Sequence, residues 1–185
     1  MDRPTRRPAL FFDRDGVLNE DRNYVHKVAD FAWIPGAPQA IRFLNDRGWL
    51  VFVVTNQSGV ARGYYDEAAI HVLHAHMQAE LARIGAHIDD FRHCPHHPKG
   101  EIAVYRQDCD CRKPGPGMIQ DLLKAWPVDA AHSLLIGDKA RDIESAEAAG
   151  IRGHLFSGGD LEAFVRRVVG DQTSQVTQMN ADERR

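Results

Sequence analysis

Phe11-Phe12-Asp13-Arg14-Asp15-Gly16-Val17 is the stretch in which this chain turns from apolar to acidic within two residues. The run leading into it, Ala9–Phe12, is short and wholly apolar, the pattern of a strand buried on both faces. At its end Asp13 and Asp15 point the same way, because residues two apart in an extended segment share a face. Gly16 then lets the backbone turn sharply. A buried strand ending in two carboxylates belongs to an α/β sheet whose ligands gather beyond the carboxyl ends of its strands.

The flanking sequence repeats the theme. Leu50–Val54 is β-branched and ends at Thr55. Leu134–Ile136 ends at Gly137-Asp138, and Gly153–Phe156 is a weaker fourth strand. Helical stripes lie between them. Ala37–Arg47 carries Ala37, Ile41 and Leu44 and stops at Gly48. Asp66 caps a long helix with Ile70, Leu73, Met77, Leu81 and Ile84 at three- and four-residue steps, and Gly85 follows. Ile119, Leu122, Leu123 and Trp126 form a stripe closed by Pro127. Asp142 to Ala149 is Ala-rich, and Leu161, Phe164, Val165 and Val168 mark a last helix. Strands alternating with helices predict an α/β fold with a mainly parallel sheet. The polar clusters after three of its strands are then expected to converge. Cys94–Cys111 is rich in Pro, Gly, His and Cys and reads as an inserted loop. Residues 8–169 are expected to form one domain, and 170–185 a polar, disordered tail.

The bulk composition narrows the classes. The chain has 185 residues, 43% of them hydrophobic, and a formal net charge of −3. That is one domain with a real core and no basic surplus of the kind nucleic-acid binders carry. No apolar run is long enough to span a bilayer. Met1–Pro8 is basic, and no apolar stretch of signal-peptide type follows it. The expectation is a cytoplasmic monomer with a small-molecule partner, and neither nucleic acid nor membrane. The three cysteines, Cys94, Cys109 and Cys111, form an odd, clustered set beside His96 and His97, which favours metal over disulfides.

Each polar cluster suits one part of a phosphoryl transfer. Of two carboxylates at one strand end, one can attack phosphorus while the other protonates the leaving oxygen and then deprotonates water. A divalent ion would screen the repulsion between anions, and oxygen ligands favour Mg²⁺. The hydroxyl and backbone N–H groups of Thr55-Asn56-Gln57-Ser58 can hold phosphate oxygens. Asp138 can complete an oxygen-rich metal site. Asp142, one helical turn later, fits that site and fits equally a helix N-terminal acid. Arg112-Lys113-Pro114 supplies positive charge, and Lys113 can neutralise a transferring phosphoryl group.

Asp13-x-Asp15-Gly16, Thr55, Lys113 and Gly137-Asp138-x3-Asp142, in that order at strand ends, resemble the haloacid dehalogenase (HAD) superfamily. The longer runs Asn23-Tyr24-Val25, Thr55 to Tyr64, Cys94-Pro95-His96-His97-Pro98, Cys111-Arg112-Lys113-Pro114 and Gly137-Asp138-Lys139 resemble, within it, phosphatases of a heptose 1,7-bisphosphate. The likeness spans roughly Ala9 to Leu161. It implies a three-layer, doubly wound fold with a small zinc-binding loop and no large cap domain. It implies that Asp13 is the nucleophile and a Mg²⁺ ligand. Asp15 would be the acid/base and ligate through its backbone carbonyl, and Asp138 would be the third ligand. Thr55 and Lys113 would hold the transferring phosphate. Arg112 would recognise the rest of the sugar phosphate, with Asp21, Arg22, Asn23, Tyr24, Asn56, Gln57, Ser58 and Lys139 around it. These phosphatases often carry Gly where this chain has Asn23.

Cys94-x-His96 and Cys109-x-Cys111 offer three sulfurs and an imidazole, a closed tetrahedral set typical of structural Zn²⁺. The resemblance favours His96 over His97 as the fourth ligand. Zinc there would order a loop too polar to pack and fix Arg112 and Lys113. His71, His74 and His76 are expected on a solvated helix face. Two other functions fit the same residues: a histidinol-phosphate phosphatase, which needs the same aspartate pair, and a non-catalytic zinc-stabilised binding module.

Overall fold

The computed structural model describes residues 5–170. The expectation of a disordered tail falls almost wholly outside them. Five strands form one parallel sheet: β1 (Ala9–Phe12), β2 (Leu50–Asn56), β3 (Asp90–Cys94), β4 (Leu134–Gly137) and β5 (Arg152–Leu155). Their order is β3-β2-β1-β4-β5. The chain runs outward from β1 to one edge, then returns to β4 on the other side. The switch point between β1 and β4 is where such sheets bind ligands.

Five α-helices cover the sheet: α1 (Ala37–Asn45), α2 (Glu67–Ala82), α3 (Gly117–Ala125), α4 (Ala140–Ala148) and α5 (161–170). Alternation along the strands divides the core in two. Leu10 and Phe12 of β1, Val51 and Val53 of β2, and Leu134 and Ile136 of β4 pack with α1, α2 and α5. Ala9 and Phe11, Leu50, Phe52 and Val54, and Leu135 pack with α3 and α4. The result is three layers, as expected. Phe11 and Phe52, paired in register on β1 and β2, put their rings 5.1 Å apart. Asp66 caps α2 by accepting from Ala69 N at 3.0 Å. Gly48 and Gly85 end their helices with positive φ of 74° and 70°. Among the described residues no helix is long and apolar enough to cross a membrane.

Two expectations are corrected. The sequence Asp90-Phe-Arg-His-Cys94 carries no apolar run, yet it forms the edge strand β3, paired with β2 from Phe52↔Asp90 to Asn56↔Cys94. Cys94 is therefore the end of a strand rather than the start of a free loop. Because β3 is there, the face of α2 toward it is covered. His74 is accordingly buried, with its ring stacked on Phe91 at 4.3 Å, while His71 stays exposed.

Candidate active site

The carboxyl ends of β1, β2 and β4 bring the three polar clusters together. Asp13 follows the last residue of β1, Thr55 lies near the end of β2, and Asp138 follows β4. Carboxylate oxygens of Asp13, Asp138 and Asp142 lie within 4.8 Å of one another. Lys113, 2% exposed, reaches this point from the segment before α3. Its ammonium is 2.8 Å from Asp13 Oδ1 and 2.7 Å from Asp142 Oδ1, and it donates to Val54 O at 2.9 Å. Burial opposes the charge on Lys113, but the two carboxylates outweigh it and hold its pKa above the ordinary lysine value. Asp13 is pushed up to about 7, first by burial and then, against the pull of Lys113, by Asp142 and Asp15. Carboxylates this crowded and dry suit a cation.

Asp15 is placed differently. It sits part-exposed and accepts from Arg14 Nη2 at 3.0 Å, Asn19 Nδ2 at 3.0 Å and Gln57 Nε2 at 2.9 Å. Gln57 Nε2 also donates to Thr55 Oγ1 at 2.8 Å, and Tyr65 OH donates to Gln57 Oε1 at 2.7 Å. Arg14 is fully buried, and its Nη2 donates to Val25 O at 2.6 Å, which ties the segment after β1 to the site. Two carboxylates thus stand in unlike surroundings, one dry and ion-paired, the other held by neutral donors and an arginine.

The residues fit a Mg²⁺ ion between Asp13 and Asp138. Asp138 Oδ1 is buried with no hydrogen-bond partner among the described residues, and Oδ2 is 2.7 Å from Lys139 Nζ. An unpaired buried carboxylate oxygen is costly unless a cation satisfies it. Gly16, at φ +90°, keeps the approach open: a Cβ there would lie 2.5 Å from Asp138 Oδ2. Asp142 is committed elsewhere. Its Oδ2 accepts from Lys139 N at 3.0 Å at the start of α4, and its Oδ1 faces Lys113. Its role here is that of the helix N-terminal acid and an ion-pair partner of Lys113.

A cavity of about 320 Å³ opens beside Asp15. Asp21, Asn23, Tyr24, Asn56, Gln57, Ser58 and Arg112, all expected near the substrate, line it. Thr55 and Lys113 are buried and do not line it. Arg22 is directed to Glu20, 2.5 Å away, and Lys139 to Asp138; neither lines the cavity. Arg62, Tyr65 and Arg141 do line it and were given no role from sequence. The sequence marks them faintly: Arg62 lies within the run Thr55 to Tyr64, and Arg141 between Lys139 and Asp142. Asn23 and Tyr24 both adopt positive φ, 59° and 57°. Asn tolerates that conformation where most residues do not, so Asn23 fits a position suited to Gly. Tyr24 is bulky and pays for it, a strain that marks many binding sites.

The zinc-type cluster assembles as expected. The Sγ atoms of Cys94, Cys109 and Cys111 lie 3.0 to 3.5 Å apart, and His96 Nδ1 is 3.3 Å from Cys111 Sγ and 3.7 Å from Cys94 Sγ. A tetrahedron with Zn–S of about 2.3 Å has edges of about 3.8 Å, so the donor set fits one Zn²⁺ with little adjustment. Donation from Cys94 lowers the Cys111 thiol to about 5, so the cluster already favours a thiolate. His97 is engaged elsewhere, accepting from Lys99 N at 3.1 Å and facing Arg62. Beyond Cys111 the chain is fastened to the end of β2: Lys113 N donates to Asn56 Oδ1 at 3.0 Å, and Asn56 Nδ2 to Lys113 O at 3.1 Å.

Known proteins resemble this chain. The model of HAD-hydrolase-like proteins matches residues 110–173. The D-glycero-beta-D-manno-heptose-1,7-bisphosphate 7-phosphatase of Rhodopseudomonas palustris is 53% identical over 89% of this chain and 91% of its own. That of Escherichia coli K12 is 44% identical over 78% and 75%. The crystal structure of D,D-heptose 1,7-bisphosphate phosphatase from B. bronchiseptica, complexed with magnesium and phosphate, superposes with a TM-score of 0.77 at 33% identity, covering 89% of this chain and 99% of that one.

Proposed function

We infer the function from one premise: the chain belongs to the D-glycero-β-D-manno-heptose-1,7-bisphosphate 7-phosphatase family of HAD-like hydrolases. It is a phosphatase, and its substrate is the β anomer of the heptose 1,7-bisphosphate, which loses the 7-phosphate on the way to a heptose nucleotide precursor. The observation that carries this reading is the meeting of Asp13, Asp138 and Lys113 at the sheet's switch point, with Asp138 Oδ1 buried and unsatisfied among the described residues.

In this reading Asp13, Asp138 and the backbone carbonyl of Asp15 would hold Mg²⁺, which when bound polarises the phosphoryl oxygens and offsets anion repulsion. Lys113 and Arg14 N engage Asp13 Oδ1, at 2.8 Å each, which leaves Oδ2 to attack phosphorus. The bond from phosphorus to the sugar oxygen breaks, and Asp15 gives that oxygen a proton. The phosphoryl group is now on Asp13. Asp15 then takes a proton from water, whose oxygen attacks phosphorus and releases phosphate with Asp13 restored. The donors around Asp15 (Gln57, Asn19 and Arg14) fix where that carboxyl stands in both steps. Lys113 and Thr55 stabilise the transferring oxygens. Cys94, His96, Cys109 and Cys111 would hold a structural Zn²⁺ that orders the wall bearing Arg112.

The test is a phosphate-release assay with Mg²⁺ on both heptose bisphosphate anomers and histidinol phosphate. The β anomer should give the highest kcat/KM. Asp13→Asn should lose roughly 10⁴-fold in kcat while keeping its fold. Preference for histidinol phosphate, or full turnover by Asp13→Asn, contradicts this reading.

A further inference from the structure

A second group of metal-ligating side chains lies outside both the phosphatase centre and the cysteine cluster. Glu67 and His71 stand one turn apart on α2, so their side chains share a face. His93 reaches that face from β3. One ligand atom of each lies within 4.8 Å of the others. The Glu67 carboxylate is held from two sides: Tyr105 OH donates to Oε1 at 2.9 Å, and His93 Nε2 is 2.8 Å from Oε2. The His71 and His93 rings meet edge to face at 5.5 Å.

The three residues line a cavity of about 440 Å³, and so does His74. His74 packs in the same wall, outside the donor set itself. It is 5% exposed, and its Nε2 is buried with no hydrogen-bond partner among the described residues. Burial, with Arg14 nearby, keeps this imidazole neutral down to about 2, so its nitrogen lone pair is available throughout the physiological range.

We propose that Glu67, His71 and His93 bind one divalent transition-metal ion of the zinc, nickel and cobalt class, with His74 in the adjoining wall. Two imidazoles and one carboxylate suit such ions, and they do not suit Mg²⁺, which takes oxygen donors and water. The site joins α2 to β3, and through Tyr105 to the cysteine-bearing loop. His93 is also the register partner of Thr55 and the residue before Cys94. An ion here would therefore stiffen the edge of the sheet next to both other centres.

The experiment is a calorimetric Ni²⁺ titration of untagged protein carrying one Zn²⁺ per chain, enough for the cysteine cluster alone, in Mg²⁺ buffer. One equivalent should bind. His71→Ala, an exposed position, should weaken it at least about ten-fold with no change in melting temperature before Ni²⁺ is added. His93→Gln should weaken it likewise. Co²⁺ added to the same zinc-loaded protein should give weak visible bands without the intense near-ultraviolet absorption of a cobalt–thiolate centre. Equal Ni²⁺ affinity in wild type and His71→Ala, absence of binding, or a thiolate-type cobalt spectrum overturns the proposal.

Discussion

Lys113 is the residue on which most of the site's electrostatics turns. Its ammonium bridges Asp13 and Asp142, and all three groups are nearly dry. Removing one member of a buried ion-paired group leaves charge uncompensated, which typically costs about 3–5 kcal/mol. Lys113→Met in zinc-loaded, Mg²⁺-free protein should lose that much in a urea unfolding series, and its turnover should collapse. A loss under about 1 kcal/mol would mean that Lys113 does not hold the two carboxylates. The sequence made Lys113 visible as a cation before a helix. It could not show the bridge to Asp142, because that contact is set by how α4 starts beside β4. Asp142 was equally balanced between two readings for the same reason: one carboxylate at a helix start looks alike whether it serves a metal or the helix. Asp13 and Asp15 were legible as a pair because two-residue spacing in an extended segment fixes their common direction.

At the level of elements, what could be read depended on apolar content. β1, β2 and β4 are buried on both faces and announce themselves as apolar runs. β3, Asp90 to Cys94, is an edge strand whose charged residues pair locally, Arg92 with Asp90 and Asp121, so no run marks it. Missing β3 also misplaced His74, since the layer covering that face of α2 was not foreseen. The cysteine loop was legible for a different reason: its chemistry, three thiols and an imidazole, is in the residue types themselves. This loop leads directly from Cys111 into Arg112 and Lys113, which Asn56 fastens to β2. Extracting zinc with a chelator, then restoring Mg²⁺, should expose all three thiols to a thiol reagent and lower kcat/KM on the order of ten-fold or more. Unchanged kinetics in the zinc-free protein would separate the loop from the site.

For the molecule as a whole, the order β3-β2-β1-β4-β5 does what no single motif does. It places the ends of β1 and β4 side by side, so residues 125 positions apart in sequence, Asp13 and Asp138, can share one ion. Alternation of strands and helices was enough to foresee that convergence. It was not enough to foresee the cavity's full lining: Arg62 and Tyr65 come from a loop path that carries no periodic signal, and Arg141 from the first turn of α4, whose facing that alternation does not fix. The central claim is that the phosphoryl group passes through Asp13. It is tested most directly by acid-quenching the Asp15→Asn variant during turnover of the heptose bisphosphate and mapping the protein by peptide mass spectrometry. Asp15→Asn slows departure of the sugar oxygen as well as activation of water, so turnover is slow, and the phosphoryl group that does leave the sugar should be found on the Asp13 peptide. Phosphate release with no phosphoryl group on Asp13, or its appearance on another residue, would contradict the account.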